Sequence, residues 1–248
     1  MKQNNQLNVL YQDRLVGVLA MTADKKAAFE YSDDWIIKFP SHVDGADAGK
    51  MEYDYARCAQ KCGIEMTESR LFPSKRCKGY FGIKRFDRVK GIDGTKDSRR
   101  IHMCTAAALL EADFNQPCLD YHELMKLVKI LTRDYPADVE NMFRRMCFNV
   151  FAHNRDDHAK NFTYLYDENK GRWRLSPAYD ITYSNTYYGE HTTSVNGNGK
   201  NPGQEELIQV GIKAGMGKQK CDNIIREIRS CVESELGRYI EGAYGRCC

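Results

Sequence analysis

At Phe148-Asn149-Val150-Phe151-Ala152-His153-Asn154-Arg155-Asp156-Asp157-His158-Ala159-Lys160-Asn161-Phe162, an apolar helical stripe runs into the densest polar cluster of the 248-residue chain. Upstream, Val139, Met142, Phe143, Met146, Val150 and Phe151 recur at the three-to-four spacing of a buried helix face. The spacing predicts a helix that begins near Asp138 and delivers the chain directly to the segment His153 to His158. Downstream, Phe162 to Tyr166 and Arg172 to Leu175 have strand character around the turn Asp167-Glu168-Asn169-Lys170-Gly171. This hairpin leads into Ser176-Pro177-Ala178-Tyr179-Asp180.

Phosphoryl transfer from Mg-ATP needs a carboxylate to orient the acceptor hydroxyl, an amide oxygen on the metal and a second carboxylate bridging it. Asp156, Asn161 and Asp180 are of the right types for these three tasks. The Asp-x4-Asn spacing lets one loop aim two of them at a common point, and the hairpin returns Asp180 beside them. His158, between the two, could donate to phosphate oxygens or brace the loop. The bland alternative is that Asp156 and Asp157 are surface acids in a turn and that His153 and His158 are structural, and spacing alone favours neither. A metal hydrolase built on His153 and His158 is disfavoured, because their separation of five does not place them on one helix face.

Working toward the N-terminus, Trp35-Ile36-Ile37-Lys38-Phe39 is an apolar strand ending at Pro40, and an ammonium there calls for an anionic partner. ATP phosphates and Glu52 would serve; snorkelling of Lys38 at a strand edge is the plainer possibility. A helix is expected from about Lys50 to Cys62, with Met51, Tyr55, Ala59 and Cys62 on one side and Gly63 as its stop. Strands follow at Ser69 to Phe72 and Tyr80 to Phe86, and this β–α–β–β order is that of a nucleotide-binding small lobe. The end of the second strand, Lys84-Arg85-Phe86-Asp87, falls where an inter-lobe hinge would offer backbone groups to adenine. Residues 7–31 alternate as short antiparallel strands with polar turns at Asp13-Arg14 and Ala23-Asp24-Lys25. Beyond Gly94 the pattern turns helical, most clearly at the capping box Asp120-Tyr121-His122-Glu123. After a polar loop at Asn196 to Gly203, Ile224, Ile225, Ile228, Val232 and Leu236 mark the inner stripe of a last long helix.

Composition narrows the function classes. With 37 Lys+Arg against 34 Asp+Glu, the net charge of +3 does not suggest direct nucleic-acid binding through bulk charge. No run approaches the roughly 18 apolar residues of a membrane span, and the first residues lack the apolar core of a secretory signal. The chain is therefore expected to be soluble and cytoplasmic, away from membranes. Its ten cysteines form no CxxC pair, so reduced thiols used as small core residues are expected rather than disulfides or zinc.

Four ordered motifs together closely resemble the HipA family of toxin serine/threonine kinases. They are Trp35 to Pro40, Ile83-Lys84-Arg85-Phe86-Asp87-Arg88, the run Phe148 to Phe162 and Ser176 to Asp180. Gly189-Glu190-His191, Asn196-Gly197 and Asn201-Pro202 add to the likeness. The resemblance implies an α+β, two-lobed protein-kinase-like fold with a small β-rich N-lobe and a larger, mainly helical C-lobe. Its boundaries would be a partial β subdomain over 1–34, the N-lobe over 35–90 and the C-lobe over 91–248. It further implies Mg2+- and ATP-dependent phosphorylation of a protein serine or threonine. Asp156 then takes the catalytic aspartate role with His158 beside it, Asn161 and Asp180 the metal ligands, and Lys38 the phosphate-binding lysine, paired with Glu52. Lys84, Phe86 and Asp87 line the nucleotide site. Aminoacyl-tRNA synthetases are among the family's substrates, and a helix-turn-helix antitoxin is its usual partner.

Residues 7–35, with Val16-Gly17-Val18-Leu19 and Phe29-Glu30-Tyr31, resemble the opening of the family's amino-terminal subdomain. The glycine-containing phosphate loop expected after it has no counterpart, since Gly17 is the only glycine before Lys38. A kinase-like module that binds an antitoxin or other protein without catalysis is the alternative. A small-molecule or lipid phosphotransferase is a third, because Asp156-x-His158-x-x-Asn161 is also similar to the loop of phosphoinositide kinases.

Overall fold

The apolar alternation over residues 7–31 produces an antiparallel meander of β1 (Gln6–Tyr11), β2 (Arg14–Met21) and β3 (Ala27–Tyr31), with Leu7 opposite Leu19 and Leu19 opposite Phe29. These elements belong to a computed structural model that describes residues 6–11, 14–21, 27–31, 35–39, 45, 47–89, 99–112, 119–186 and 189–244. The expected turn at Ala23-Asp24-Lys25 and the terminal Cys247-Cys248 lie outside the described residues.

A second antiparallel sheet carries the lysine strand. β4 (Trp35–Lys38) and β5 (Ser69–Phe72) flank β6 (Tyr80–Lys84), so that Lys38 pairs with Phe81 and Leu71 lies on Phe81's other side. α1 (Ala48–Lys61) crosses this sheet, burying Glu52, Tyr55, Ala56, Cys58 and Ala59, and Gly63 closes its end at a φ of +71°. The helix starts at Ala48, two residues before the expected Lys50, and places Gly49 in its first turn against the sheet. A Cβ there would run into the Gly79 carbonyl oxygen at the head of β6.

Past β7 (Arg88–Val89) and β8 (Arg99–Arg100), the chain does not turn helical at once as its local pattern suggests. β9 (Met103–Thr105) intervenes before the short α2 (Ala106–Leu109), because it is claimed by a strand sixty residues ahead. Thr105 pairs with Thr163 and Met103 with Leu165. β10 (Leu119–Asp120) then leads into α3 (Tyr121–Thr132), whose start is the predicted capping box. The Asp120 carboxylate accepts from the His122 N–H at 2.9 Å, and the Glu123 carboxylate accepts from the Asp120 N–H at 2.8 Å.

α4 (Pro136–Phe151) begins at Pro136, whose fixed φ and missing N–H suit a first helical position. Val139, Met142, Phe143, Met146 and Val150 are buried as the spacing requires. The helix gives way to a 3-10 turn over Ala159–Asn161 and the hairpin β11 (Thr163–Asp167) and β12 (Arg172–Leu175). β13 (Thr193–Ser194) pairs in parallel with β10, and α5 (Gln204–Lys213) and α6 (Lys218–Tyr244) close the fold. Ile224, Ile225, Ile228, Val232 and Leu236 on α6 are all 3% exposed or less, each contributing about 1.5–3 kcal/mol of burial. Among the described residues no helix is long and apolar enough to cross a membrane.

Candidate active site

Lys38 leaves its strand between two carboxylates. Its Nζ donates to Glu52 Oε1 at 2.6 Å and to Asp180 Oδ1, which joins residues 142 positions apart. Burial alone would lower the ammonium pKa, but the charges of Glu52 and Asp180 and their hydrogen bonds outweigh it and hold Lys38 above the ordinary lysine value. Glu52 sits one turn into α1, so the close approach of Gly49 to β6 fixes where this carboxylate meets the lysine.

The loop after α4 is held from both sides. Its exit from the helix uses a left-handed residue that is not glycine, His153 with φ of +52°, and the Asn154 N–H returns to the Asn149 carbonyl at 3.0 Å. The Ser184 N–H donates to the His153 carbonyl at 3.0 Å, and the Thr192 N–H to the Arg155 carbonyl at 3.0 Å. Within the loop, Asp156 is exposed, the Asn161 amide donates to its backbone carbonyl at 3.0 Å, and His158 Nε2 lies 3.9 Å from its Oδ1.

Asp157, adjacent in sequence, points the other way and is 1% exposed. Its carboxylate accepts from the Tyr121 hydroxyl at 2.9 Å, from His191 Nδ1 at 3.0 Å and from the Thr193 N–H at 3.1 Å. Tyr121 accepts in turn from the Asn149 amide at 2.9 Å, and Asn149 from Asn154 at 2.9 Å. Asp157 is therefore the anchor that leaves Asp156 free to face solvent, a division of labour that residue type could not reveal.

Asp180 is positioned by the residues just before it. Buried Arg145 on α4 donates to the Ser176 carbonyl, and burial brings its guanidinium pKa down to about 10. The Ala178 N–H bonds the Glu65 carbonyl at 2.7 Å, tying this loop to the segment after α1. The Tyr179 hydroxyl donates to the Lys160 carbonyl and lies 2.6 Å from Thr163 Oγ1, so the neighbours of Asp180 and Asn161 are joined directly. Asp180 itself adopts a φ of +56°, an uncommon conformation for a residue other than glycine, of the kind that clusters at functional sites.

Between these elements lies a cavity of about 310 Å3. Ile36, Ile83, Phe86, Met103 and Tyr179 give it an apolar wall, and Lys38, Glu52 and Asp180 a charged end. Lys84 and Asp87 also line it, but their main chains hold the linker: the Lys84 N–H bonds Glu68, its carbonyl bonds the Thr67 hydroxyl, and the Asp87 carbonyl bonds the Ile101 N–H. The Asp87 carboxyl takes two hydrogen bonds from Arg85, at 2.8 and 2.7 Å. Burial would raise it, yet Arg85 and Arg88 keep it below the usual carboxylate range. An apolar cavity ending in one ammonium and two carboxylates suits a nucleobase whose phosphates arrive with a divalent cation, since the charged end alone is net negative.

The HipA-like C-terminal domain family model matches residues 17–236. The chain belongs to this HipA-like family. Two curated relatives align with this HipA-like domain. The protein named "Putative kinase Y4dM" from Sinorhizobium fredii is 26% identical over 175 residues, 65% of this chain and 40% of that protein. A Haemophilus influenzae protein named "Putative kinase" is 25% identical over 166 residues, 62% of this chain and 46% of that one. The chain thus spans less than half the length of these relatives. Among solved structures, HipA of the Shewanella oneidensis MR-1 toxin–antitoxin complex with HipB and operator DNA superposes with a TM-score of 0.69 at 16% identity, over 97% of this chain and 60% of that one. The Helicobacter pylori proinflammatory kinase CtkA gives 0.52 at 10% identity, over 93% of both chains. The HipA-like domain accordingly has the α+β kinase-like fold.

Proposed function

We propose that the chain is an ATP-dependent protein serine/threonine kinase of the HipA type. The observation that carries this reading is the Lys38–Glu52–Asp180 cluster at one end of the apolar cavity. In this reading residues 35–90 form the nucleotide lobe, 91–248 the lobe bearing both loops, and 1–34 an N-terminal β unit.

Bound Mg-ATP supplies the phosphoryl group and the cation that screens its charge. Ile36, Ile83, Phe86 and Tyr179 enclose the base, and Lys38, oriented by Glu52, holds phosphate oxygens. Asn161 and Asp180 would hold the metal. Exposed Asp156 accepts the proton of the acceptor hydroxyl, with His158 beside it to steady the carboxylate or meet a phosphate oxygen. Positioning and fixed charge do most of the work in such a transfer.

The acceptor is a protein hydroxyl, with an aminoacyl-tRNA synthetase the substrate class suggested by the family resemblance. An antitoxin of the HipB kind is the proposed partner, supported by the complex in which the Shewanella HipA was solved. One observation favours the alternative of a binding module without turnover, namely that Gly17 is the only glycine among residues 1–37. Calorimetric titration of Mg-ATP, followed by phosphate transfer from labelled ATP, separates the two. The kinase reading expects metal-dependent binding lost in Asp180→Ala and transfer abolished in Asp156→Asn with binding kept. Binding of the antitoxin with no nucleotide affinity would establish the module instead.

A further inference from the structure

We propose that Cys58, Cys62 and Cys231 form a binding site for a thiophilic d10 cation, Zn2+ or Cu+, that bridges α1 and α6. Cys58 and Cys62 are one turn apart and so share a helix face, and Cys231 meets them from α6. The three sulfurs lie within 4.8 Å of one another, and Cys58 and Cys231 are 4.0 Å apart. At a metal–sulfur length of about 2.3 Å, thiolates in a tetrahedral or trigonal set stand about 3.8–4.0 Å apart. Closing the triangle around an ion therefore takes side-chain adjustment of under about an ångström.

Core filling accounts for single buried thiols such as Cys147, but not for three converging sulfurs. Cys58 and Cys62 are fully enclosed while Cys231 is partly exposed, which leaves one edge for an ion to enter. Lys61 and Glu235 flank that edge, paired at 2.6 Å. Glu235 follows Cys231 by one turn but is held by Lys61 and stands outside the three-sulfur cluster, so solvent at the open edge would complete the set around Zn2+. Binding releases the thiol protons, and soft thiolates select ions of this class over Mg2+.

The Cys58-x3-Cys62 pair has a spacing that metal sites use, but the sequence does not reveal its third member, 169 residues further on. Its consequence is mechanical: the ion would tie α6 to the helix that carries Glu52. Any effect on phosphate transfer rests on the kinase reading above, whereas ion binding does not.

The test is anaerobic titration of the reduced full chain with Co2+, with Zn2+ as competitor, and separately with Cu+ against a chromophoric Cu+ chelator. The expected result is a sulfur-to-cobalt charge-transfer band that saturates at one equivalent and is displaced by Zn2+, or stoichiometric capture of Cu+ from the chelator. Either response should disappear in Cys231→Ser and survive in the Cys247→Ser/Cys248→Ser variant. Absence of both responses in the wild type, or an unchanged response in Cys231→Ser, overturns the proposal. Should Cys231→Ser fail to fold, alkylation of the wild type followed by peptide mapping decides. Protection of Cys231 by the ion is expected, and equal alkylation with and without it refutes the site. None of these readouts involves ATP, so failure here and failure of the kinase reading are distinguishable.

Discussion

Replacing Asp157 with alanine removes one carboxylate and strands three buried donors: the Tyr121 hydroxyl, His191 Nδ1 and the Thr193 N–H. Each buried polar group left unsatisfied costs about 1–3 kcal/mol, and partial relaxation brings the expected total to about 3–6 kcal/mol. That is a large part of the 5–15 kcal/mol by which a typical domain is stable. The adjacent Asp156→Asn is the control, since its exposed side chain should change stability by less than about 0.5 kcal/mol. Urea unfolding followed by circular dichroism reads both. The asymmetry expected is an Asp157→Ala chain that is unfolded or strongly destabilised beside an Asp156→Asn chain of native stability without phosphate transfer. An Asp157→Ala protein within about 1 kcal/mol of wild type would refute the assignment of Asp157 as the loop's anchor.

Lys38→Met should weaken Mg-ATP binding at least about tenfold by calorimetry while costing about 1–2 kcal/mol of stability, because the ion pair with buried Glu52 is lost; unaltered affinity would remove Lys38 from the site. Gly49→Ala should destabilise by about 1–3 kcal/mol and weaken nucleotide binding through displacement of α1 from the Gly79 carbonyl, and a chain that gained stability would contradict that close contact. Burial, with smaller contributions from the Arg155 and His191 charges, pushes the His153 pKa down to about 4, so the folded chain keeps it neutral. The unfolded imidazole takes up its proton near pH 6.5, so stability should fall by about 1–2 kcal/mol as pH drops from 6.5 toward 4. His153→Asn should flatten that part of the pH–stability curve, and a wild-type curve with no slope there would be inconsistent with it.

Local signals carried much of the architecture. The apolar spacing of α4, the Asp120 capping box and the Asp167–Gly171 turn could be read directly because each depends on neighbours within a few residues. They place Asp156 and Asn161 on one loop and Asp180 on a second, at the far end of the hairpin. What stayed hidden depended on distant partners. β9 has no local signal because its hydrogen bonds go to β11, and Asp157 reads as a second acid of a turn because Tyr121, His191 and Thr193 come from other elements. Arg145 could be seen only as a polar residue in a helix, with nothing to indicate the Ser176 carbonyl it holds.

By itself, the sequence determined the family, the main helices, the β11–β12 hairpin and the residue types available for phosphate chemistry, since periodicity, caps and ordered motifs are written along the chain. Tertiary structure alone decided which of two adjacent aspartates faces solvent, that Asp180 joins Glu52 on Lys38, and that Cys231 meets Cys58 and Cys62. Those outcomes depend on which surfaces α1, α4 and α6 bury against one another, and burial is a property of the packed chain, not of any segment of it.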